Sequence, residues 1–390
     1  MVRVFRYRLY PTRTQDAALR ETLWRLRELY NAALQERIAA YRQHGDSLSA
    51  YAQMAELREV RAVRPEYAGI HVHLLQDTIT RLDRAYRAFF RRVKAGQAAG
   101  FPRFQGRGRY TSFTFKDCKT KKNWIVAGGK RLDISGIGKV KIKLHRPMEG
   151  RLKQVTITLG GDGHWYACMC CNEVPAKPLP ATGASVGIDV GITTFAALDN
   201  GELVANPRHY EQAQASLRRA QKTVSRRRNK RSNRRRKAVA LFAKQHDRVR
   251  RTRLDFHHKV AVDLVRRFDR IAVEKLNVKG LARMRLAKQV HDAAWAQFTT
   301  ILSSKAECAG REFIAVDPRG TSQTCSECGC EVRKDLSVRV HNCPHCGYVV
   351  DRDVNAARNV ANRAGHVRRG GMSNGSPVEP RSPYLAVFGR

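Results

Sequence analysis

The residues of this chain best equipped for chemistry are two cysteine pairs and three acids set in apolar surroundings. Cys325-Ser326-Glu327-Cys328-Gly329 and Cys343-Pro344-His345-Cys346-Gly347 are Cys-x-x-Cys-Gly knuckles, a spacing that lets two thiolates close on one tetrahedral ion. Four thiolates complete the sphere of Zn2+ and leave no position for a catalytic water, so Cys325, Cys328, Cys343 and Cys346 predict a structural zinc. Paired clusters in a reducing compartment favour metal over disulfide. The gap between the pairs is slightly shorter than usual. Cys330, His341 and His345 lie close by but the four cysteines suffice, and the other cysteines read as scattered core thiols.

Asp189 sits in the apolar run Val186-Gly187-Ile188-Asp189-Val190-Gly191, and Glu274 ends Ile271-Ala272-Val273-Glu274. Burying an unpaired carboxylate in such a strand costs several kcal/mol unless a cation or metal stands near. Lys275 offers Glu274 a plain salt bridge. The third acid, Asp353, follows the cysteines in Asp351-Arg352-Asp353-Val354-Asn355-Ala356-Ala357-Arg358-Asn359, where a helix begins; alone it reads as an N-cap. Together the three have the chemistry of two-metal phosphodiester hydrolysis, with carboxylates holding two ions ~3.5 to 4 Å apart, one to activate water and one to stabilise the leaving oxygen. Asp189 is expected to bridge two Mg2+ ions, Mn2+ being an alternative, with Glu274 and Asp353 on either side.

Elements must carry these residues into one place. Residues 2–10 read as a strand, and Thr12 to about Lys94 as helical, with Leu19, Leu23, Leu26, Leu29 and Tyr30 on one face and Arg20, Arg25 and Arg27 on the other. From Phe101 a Gly-rich basic stretch leads into alternating runs, Val140–Leu144 and Val155–Leu159, the strands of a separate sheet or barrel. Pro175-Ala176-Lys177-Pro178-Leu179-Pro180 reads as a linker. Beyond it come an apolar strand over Ser185–Leu198, a short strand near Leu203, a helical tract over His209–Phe268, a strand over Arg270–Leu276, a helix over Ala287–Ala309 and a strand over Glu312–Val316. That order is an α/β domain. After Gly365 the composition suggests a disordered tail.

The 390 residues are 42% hydrophobic, enough for a sizeable core and two or three domains. Lys and Arg number 74 against 34 Asp and Glu, a formal charge of +40 that resists compaction unless a polyanion neutralises much of it. Nucleic acid is the natural counter-charge, and the almost wholly basic Arg226–Lys237 is the strongest candidate for phosphate contact. No apolar stretch reaches the roughly 20 residues of a spanning helix, and residues 1–11 lack a secretory signal's apolar core. A cytoplasmic, nucleoid-associated protein is expected, with no membrane partner.

The motifs GIDVGITT (187–194), AVEKLNVKGL (272–281), DPRGTSQTCSECG (317–329) and DRDVNAARN (351–359), with YRLYPT (7–12) and FPRF (101–104), resemble those of the TnpB family, RNA-guided nucleases of bacterial insertion sequences related to the type V CRISPR effectors. The resemblance covers nearly the whole chain except the tail, and the ribbon lodged before the last acid is specific to it. It implies an α/β plus β architecture: an RNase H-like RuvC domain with an inserted zinc ribbon, preceded by a wedge-type β-barrel that carries a helical recognition insertion. The corresponding segments are 1–11 and 96–180 (barrel), 12–95 (helical insertion), 184–319 (RuvC-like), 320–350 (ribbon), 351–364 (final RuvC segment) and 365–390 (tail). It also implies Asp189, Glu274 and Asp353 as catalytic magnesium ligands. Asp353 is preferred over Asp351 because its D-x-N-A-A pattern resembles the third RuvC motif. The implied partners are a guide RNA from the transposon end and target double-stranded DNA, cut beside a short flanking motif. Base pairing then supplies sequence specificity, and Arg103–Arg109 (RFQGRGR) is expected on RNA or heteroduplex, with Tyr110 and Phe113 either stacking on bases or lying in the core. The rivals are a nuclease-silent RNA-guided repressor and a transposition accessory protein. GIDVGITT also resembles the phosphate loop of sugar kinases and heat-shock ATPases, but no second Gly-rich phosphate loop occurs between Phe195 and Gly320.

Overall fold

The computed structural model describes residues 1–116, 118, 124–126, 128–229, 231–281, 287–335 and 337–366. The tail expected from Gly365 onward lies, beyond His366, outside the described residues. The chain divides into two compact units, Met1–Pro175 and Ala176–Arg390.

In the first unit, strand β1 (Arg3–Tyr10) leads into helix α1 (Arg13–His44), short helices α2 (Ala50–Ala55), α3 (Leu57–Val63) and α4 (Pro65–Ala68), and α5 (Val72–Lys94). Thr12 and Gln15 start α1 with a capping box, each side chain bonded to the other's backbone N–H. Leu19, Leu23, Leu26, Leu29 and Tyr30 are all buried, the stripe that the periodicity predicts. Six further strands follow: β2 (Ser112–Phe115), β3 (Ile125–Val126), β4 (Arg131–Ile134), β5 (Gly138–Lys143), β6 (Arg151–Leu159) and β7 (Trp165–Asn172). They join β1 in an antiparallel sheet ordered β2-β6-β7-β1-β5-β4-β3. The two edges of the sheet approach through side chains: the Phe115 ring of β2 and the Trp124 ring just ahead of β3 pack edge-on at 5.1 Å. Phe113 is fully buried and Tyr110 hydrogen-bonds Thr78 at 3.0 Å, so both belong to the core rather than to a base-stacking surface.

The second unit is built on a five-stranded sheet ordered β10-β9-β8-β11-β12. The apolar run read as one strand is a hairpin, β8 (Ser185–Asp189) and β9 (Thr194–Leu198), because the backbone turns at 190–193; β10 (Leu203–Ala205) extends it. Strands β11 (Arg270–Glu274) and β12 (Glu312–Val316) run parallel to β8. The long helical tract is two helices, α6 (His209–Arg226) and α7 (Asn233–Arg267). The break falls inside the basic run. Ser232 caps α7 by accepting from Arg235 N–H, while the Arg235 guanidinium donates to the carbonyls of Val224 and Arg227. At least one arginine of this run therefore satisfies helix-end carbonyls rather than standing free. The helix expected over 287–309 is likewise interrupted. Short helices α8 (Val278–Leu281) and α9 (Ala287–Ala293) precede α10 (Trp295–Ala309), and Ala294 between them has φ +50°. A small ribbon follows, with strands β13 (Val340–Asn342) and β14 (Val349–Asp351), and helix α11 (Arg352–Arg363) closes the fold. The residues read as a linker are bonded into this unit, Lys177 N–H donating to Cys308 O and Leu179 N–H to Ala309 O. Phe195, Phe256 and Phe298 form the core around the buried ring of His257. Among the described residues, no helix is long and apolar enough to cross a membrane.

Candidate active site and metal centre

Asp189 and Glu274 are the last residues of β8 and β11, adjacent parallel strands. The carboxyl ends of such strands are where open α/β sheets present their chemistry. Asp353 arrives from α11, which lies directly on β8. At Gly187 a Cβ would stand 2.3 Å from Ala357 O and 2.8 Å from Ala361 Cβ. Only glycine admits this approach, and the small face of α11, Ala356, Ala357 and Ala361, completes it. The contact carries the first turn of α11 towards the mouth of β8: a Cβ on Gly191 would lie 3.6 Å from Asp353 Oδ2.

The structure separates the two aspartates of DRD. Asp351 is the N-cap of α11, its Oδ1 accepting from Asp353 N–H at 2.8 Å and Val354 N–H at 3.2 Å. The capping read for Asp353 is thus performed by Asp351, and the Asp353 carboxylate takes no part in the cap. Lys275 is exposed, and no ion pair among the described residues joins it to Glu274; its N–H continues the ladder to Val316 O. Glu274 instead accepts from the hydroxyl of Thr321 at 2.5 Å.

Electrostatics bind the three acids into one group. Burial, then the facing carboxylates of Glu274 and Asp353, push the Asp189 pKa well above the ordinary carboxylate value, against the pull of Arg352. Burial raises Glu274 while Thr321 and Arg363 lower it. Burial and the neighbouring Asp351 raise Asp353, with Arg339 and Arg352 opposing. Carboxylates that hinder one another's ionisation, with hard oxygen donors only, suit a hard divalent cation. Their ligand atoms are not all within 4.8 Å of one another; among the described residues only the cysteines form so tight a group.

Those cysteines make a second, closed centre. The Sγ atoms of Cys325, Cys328, Cys343 and Cys346 all lie within 4.8 Å, with Cys325–Cys346 at 3.7 Å and Cys328–Cys343 at 3.6 Å. A tetrahedral zinc with Zn–S near 2.3 Å requires sulfur separations of about 3.8 Å, so the four thiols fit the ion. Backbone turns shape both knuckles, Gly329 N–H donating to Cys325 O and Gly347 N–H to Cys343 O. Cys330, His341 and His345 are not in the cluster.

Sequence reasoning missed the residues that tie the two centres together. Asn355 and Asn359 of α11 are buried and bond the stem of the ribbon, and Thr321 on that stem reaches Glu274. The asparagines and the threonine stand inside the quoted motifs, but nothing in their spacing announces a partner so far along the chain.

Residues 168–285 match the family model described as a probable transposase (OrfB_IS605), residues 295–360 the Cas12f1-like TNB domain, and residues 1–46 a helix-turn-helix domain. Over 370 residues the chain is 34% identical to a "Putative RNA-guided DNA endonuclease" of Streptomyces pristinaespiralis, covering 92% of this chain and 88% of that protein. It is 26% identical over 385 residues to the "Putative RNA-guided DNA endonuclease InsQ" of Escherichia coli (strain K12), covering 94% and 92%. The solved Cas12f1–sgRNA–target DNA complex shares the fold with a TM-score of 0.54 at 16% identity, covering 90% of this chain and 83% of that one.

Proposed function

The chain belongs to the OrfB/TnpB family, and from that premise we propose that it is an RNA-guided DNA endonuclease of an insertion sequence, cleaving guide-matched double-stranded DNA beside a short flanking motif. The observation that carries this reading is the gathering of Asp189, Glu274 and Asp353, from three distant segments, at the ends of β8 and β11 and the start of α11. Asp189 interacts electrostatically with both Glu274 and Asp353, and these three carboxylates would hold the divalent metal. When bound, divalent magnesium or manganese at these carboxylates supplies an activated water and a stabilised leaving oxygen. The protein's part is to hold three hard, crowded carboxylates in register, which β8, β11 and the Gly187 contact of α11 do. The four cysteines hold Zn2+, which serves structure, since no ligand position is left open.

The charge of +40 supplies sequence-independent affinity for a guide RNA and its DNA target, with a steep salt dependence. The test is to purify the protein from cells expressing its native locus, sequence the RNA that copurifies, and incubate the particle with Mg2+ and a plasmid library bearing the guide-matched target. Cleavage that requires both the guide match and a flanking motif is expected. Tight target binding without cleavage would make the protein a repressor, and absence of bound RNA would make it a transposition accessory.

A further inference from the structure

Glu274 ends its strand with one hydrogen bond to its carboxylate among the described residues, from Thr321 Oγ1 to Oε1 at 2.5 Å. Thr321 is not part of the sheet. It lies on the stem that enters the zinc ribbon just ahead of Cys325, and it is only 2% exposed. The same hydroxyl is 2.9 Å from Pro318 O, but it has a single proton to give. A charged acceptor makes the shorter and stronger bond, so the carboxylate takes it.

The stem is itself held. Asn359 Nδ2 donates to the carbonyls of Thr321 at 2.8 Å and Thr324 at 2.7 Å. Asn355 Nδ2 donates to Thr324 O at 2.8 Å, and its Oδ1 accepts from Ser326 N–H at 3.0 Å. Both asparagines belong to α11, the helix that carries Asp353. One short segment is therefore fixed to the helix of one acid, bonded to the side chain of another, and anchored beyond by a zinc ligand. A glutamate has three rotatable side-chain bonds, and without a partner its carboxylate would sample several positions.

We propose that Thr321 is a positioning residue for Glu274, and that through it the ribbon stem forms part of the scaffold of the carboxylate centre. The hydroxyl fixes Oε1 and leaves Oε2 without a protein donor among the described residues, free for a divalent ion. Asn359 keeps the hydroxyl in place by holding the Thr321 carbonyl. The proposal rests on the reading of the three acids as a metal-dependent nuclease centre. Partners of this kind, one bond removed from a metal ligand, typically change metal affinity or activity by about 10 to 100-fold when removed.

The experiment compares the wild-type particle with Thr321→Val, which keeps the shape and removes the hydroxyl, and Thr321→Ser, which restores the hydroxyl. Mn2+ affinity is read without DNA from the electron paramagnetic resonance of the free ion, with the uptake of an Asp189→Ala particle subtracted to remove ions held by the RNA, alongside the single-turnover cleavage rate, target binding and zinc content. Thr321→Val is expected to bind Mn2+ about 10-fold more weakly and to cut about 10 to 100-fold more slowly, with target binding and zinc content unchanged. Thr321→Ser is expected to recover both losses to within about 3-fold. A valine variant with wild-type Mn2+ affinity and rate would overturn the proposal. So would one that sheds zinc in proportion to its lost cleavage without rescue by serine, because the contact would then serve ribbon folding alone. A wild-type particle that neither binds Mn2+ nor cuts would instead overturn the nuclease reading on which the proposal stands.

Discussion

The cysteine centre and the carboxylate centre are neighbours in the second unit, yet they are put together in opposite ways. The cysteines come from two tight turns of one local ribbon, and their sulfurs already stand at zinc-ligand spacing. The acids come from β8, β11 and α11, and only a completed sheet with a helix laid across it brings Asp189 within electrostatic reach of the other two. The first centre is made by local turns of the chain; the second exists only once distant elements have been assembled. Residue spacing is therefore a sufficient signal for the cysteines, while for the acids it supplies only candidates.

The largest effect expected follows from that contrast. Cys325→Ser should strip the ribbon of most of its zinc and unfold it locally, since structural zinc contributes on the order of 10 kcal/mol in small zinc-dependent folds. Cleavage should be lost with it, because Thr321 and the stem lie on the same segment. Elemental mass spectrometry on the purified variant reads this directly, and undiminished zinc would remove the ribbon from the argument. Asp189→Ala is the converse. It should slow cleavage by about 1,000-fold or more, roughly 4 kcal/mol of barrier, yet leave zinc content and guide-RNA binding as they are. Mg2+-dependent cleavage retained by that variant would dissolve the proposed triad.

A smaller effect probes how the acids are brought together. Gly187→Ala places a methyl group 2.3 Å from Ala357 O, so α11 must move away from β8. Overpacking of this sort costs about 1 to 3 kcal/mol, and it should lower the thermal midpoint and slow cleavage at least about 10-fold by displacing Asp353 from Asp189. A variant with unchanged midpoint and rate would show that this contact does not set the spacing. The sequence marks the glycine only as part of GIDVGITT, and its reason is visible only once the helix is seen against it.

The same distinction separates what was legible in the sequence from what was not. Periodicity locates α1 and its buried stripe, and the apolar runs locate β11 and β12, because local burial patterns repeat at the period of their element. Periodicity misses the turn inside Ser185–Leu198, since both strands of that hairpin are buried and the apolar run continues through it. It also misses the break at Ala294, a left-handed residue without the glycine that usually marks one. The basic run 226–237 shows charge but not that Arg235 is used to close helix ends. At the site, the acids are conspicuous for being charged among apolar neighbours, whereas Thr321, Asn355 and Asn359 are polar residues of ordinary appearance whose partners are remote in sequence.

Asp351 and Asp353 bring the local and the assembled kinds of site within two positions of each other. Asp351 is spent locally: its Oδ1 caps the N–H groups of Asp353 and Val354, and asparagine caps nearly as well as aspartate. Asp351→Asn therefore keeps the cap and gives up only the attraction of a negative charge for the helix N-terminus, at most about 1 kcal/mol. The Asp351 charge also raises the Asp353 pKa, so neutralising it lets Asp353 ionise at lower pH. Cleavage by Asp351→Asn should stay within about 3-fold of wild type, with a thermal midpoint a few degrees lower at most. Asp353→Asn leaves the cap untouched and should lose about 1,000-fold, as Asp189→Ala does. If the two variants were equally inactive, or if Asp351→Asn were the dead one, the third ligand would be Asp351, and the helix would have to begin without the cap that the structure gives it.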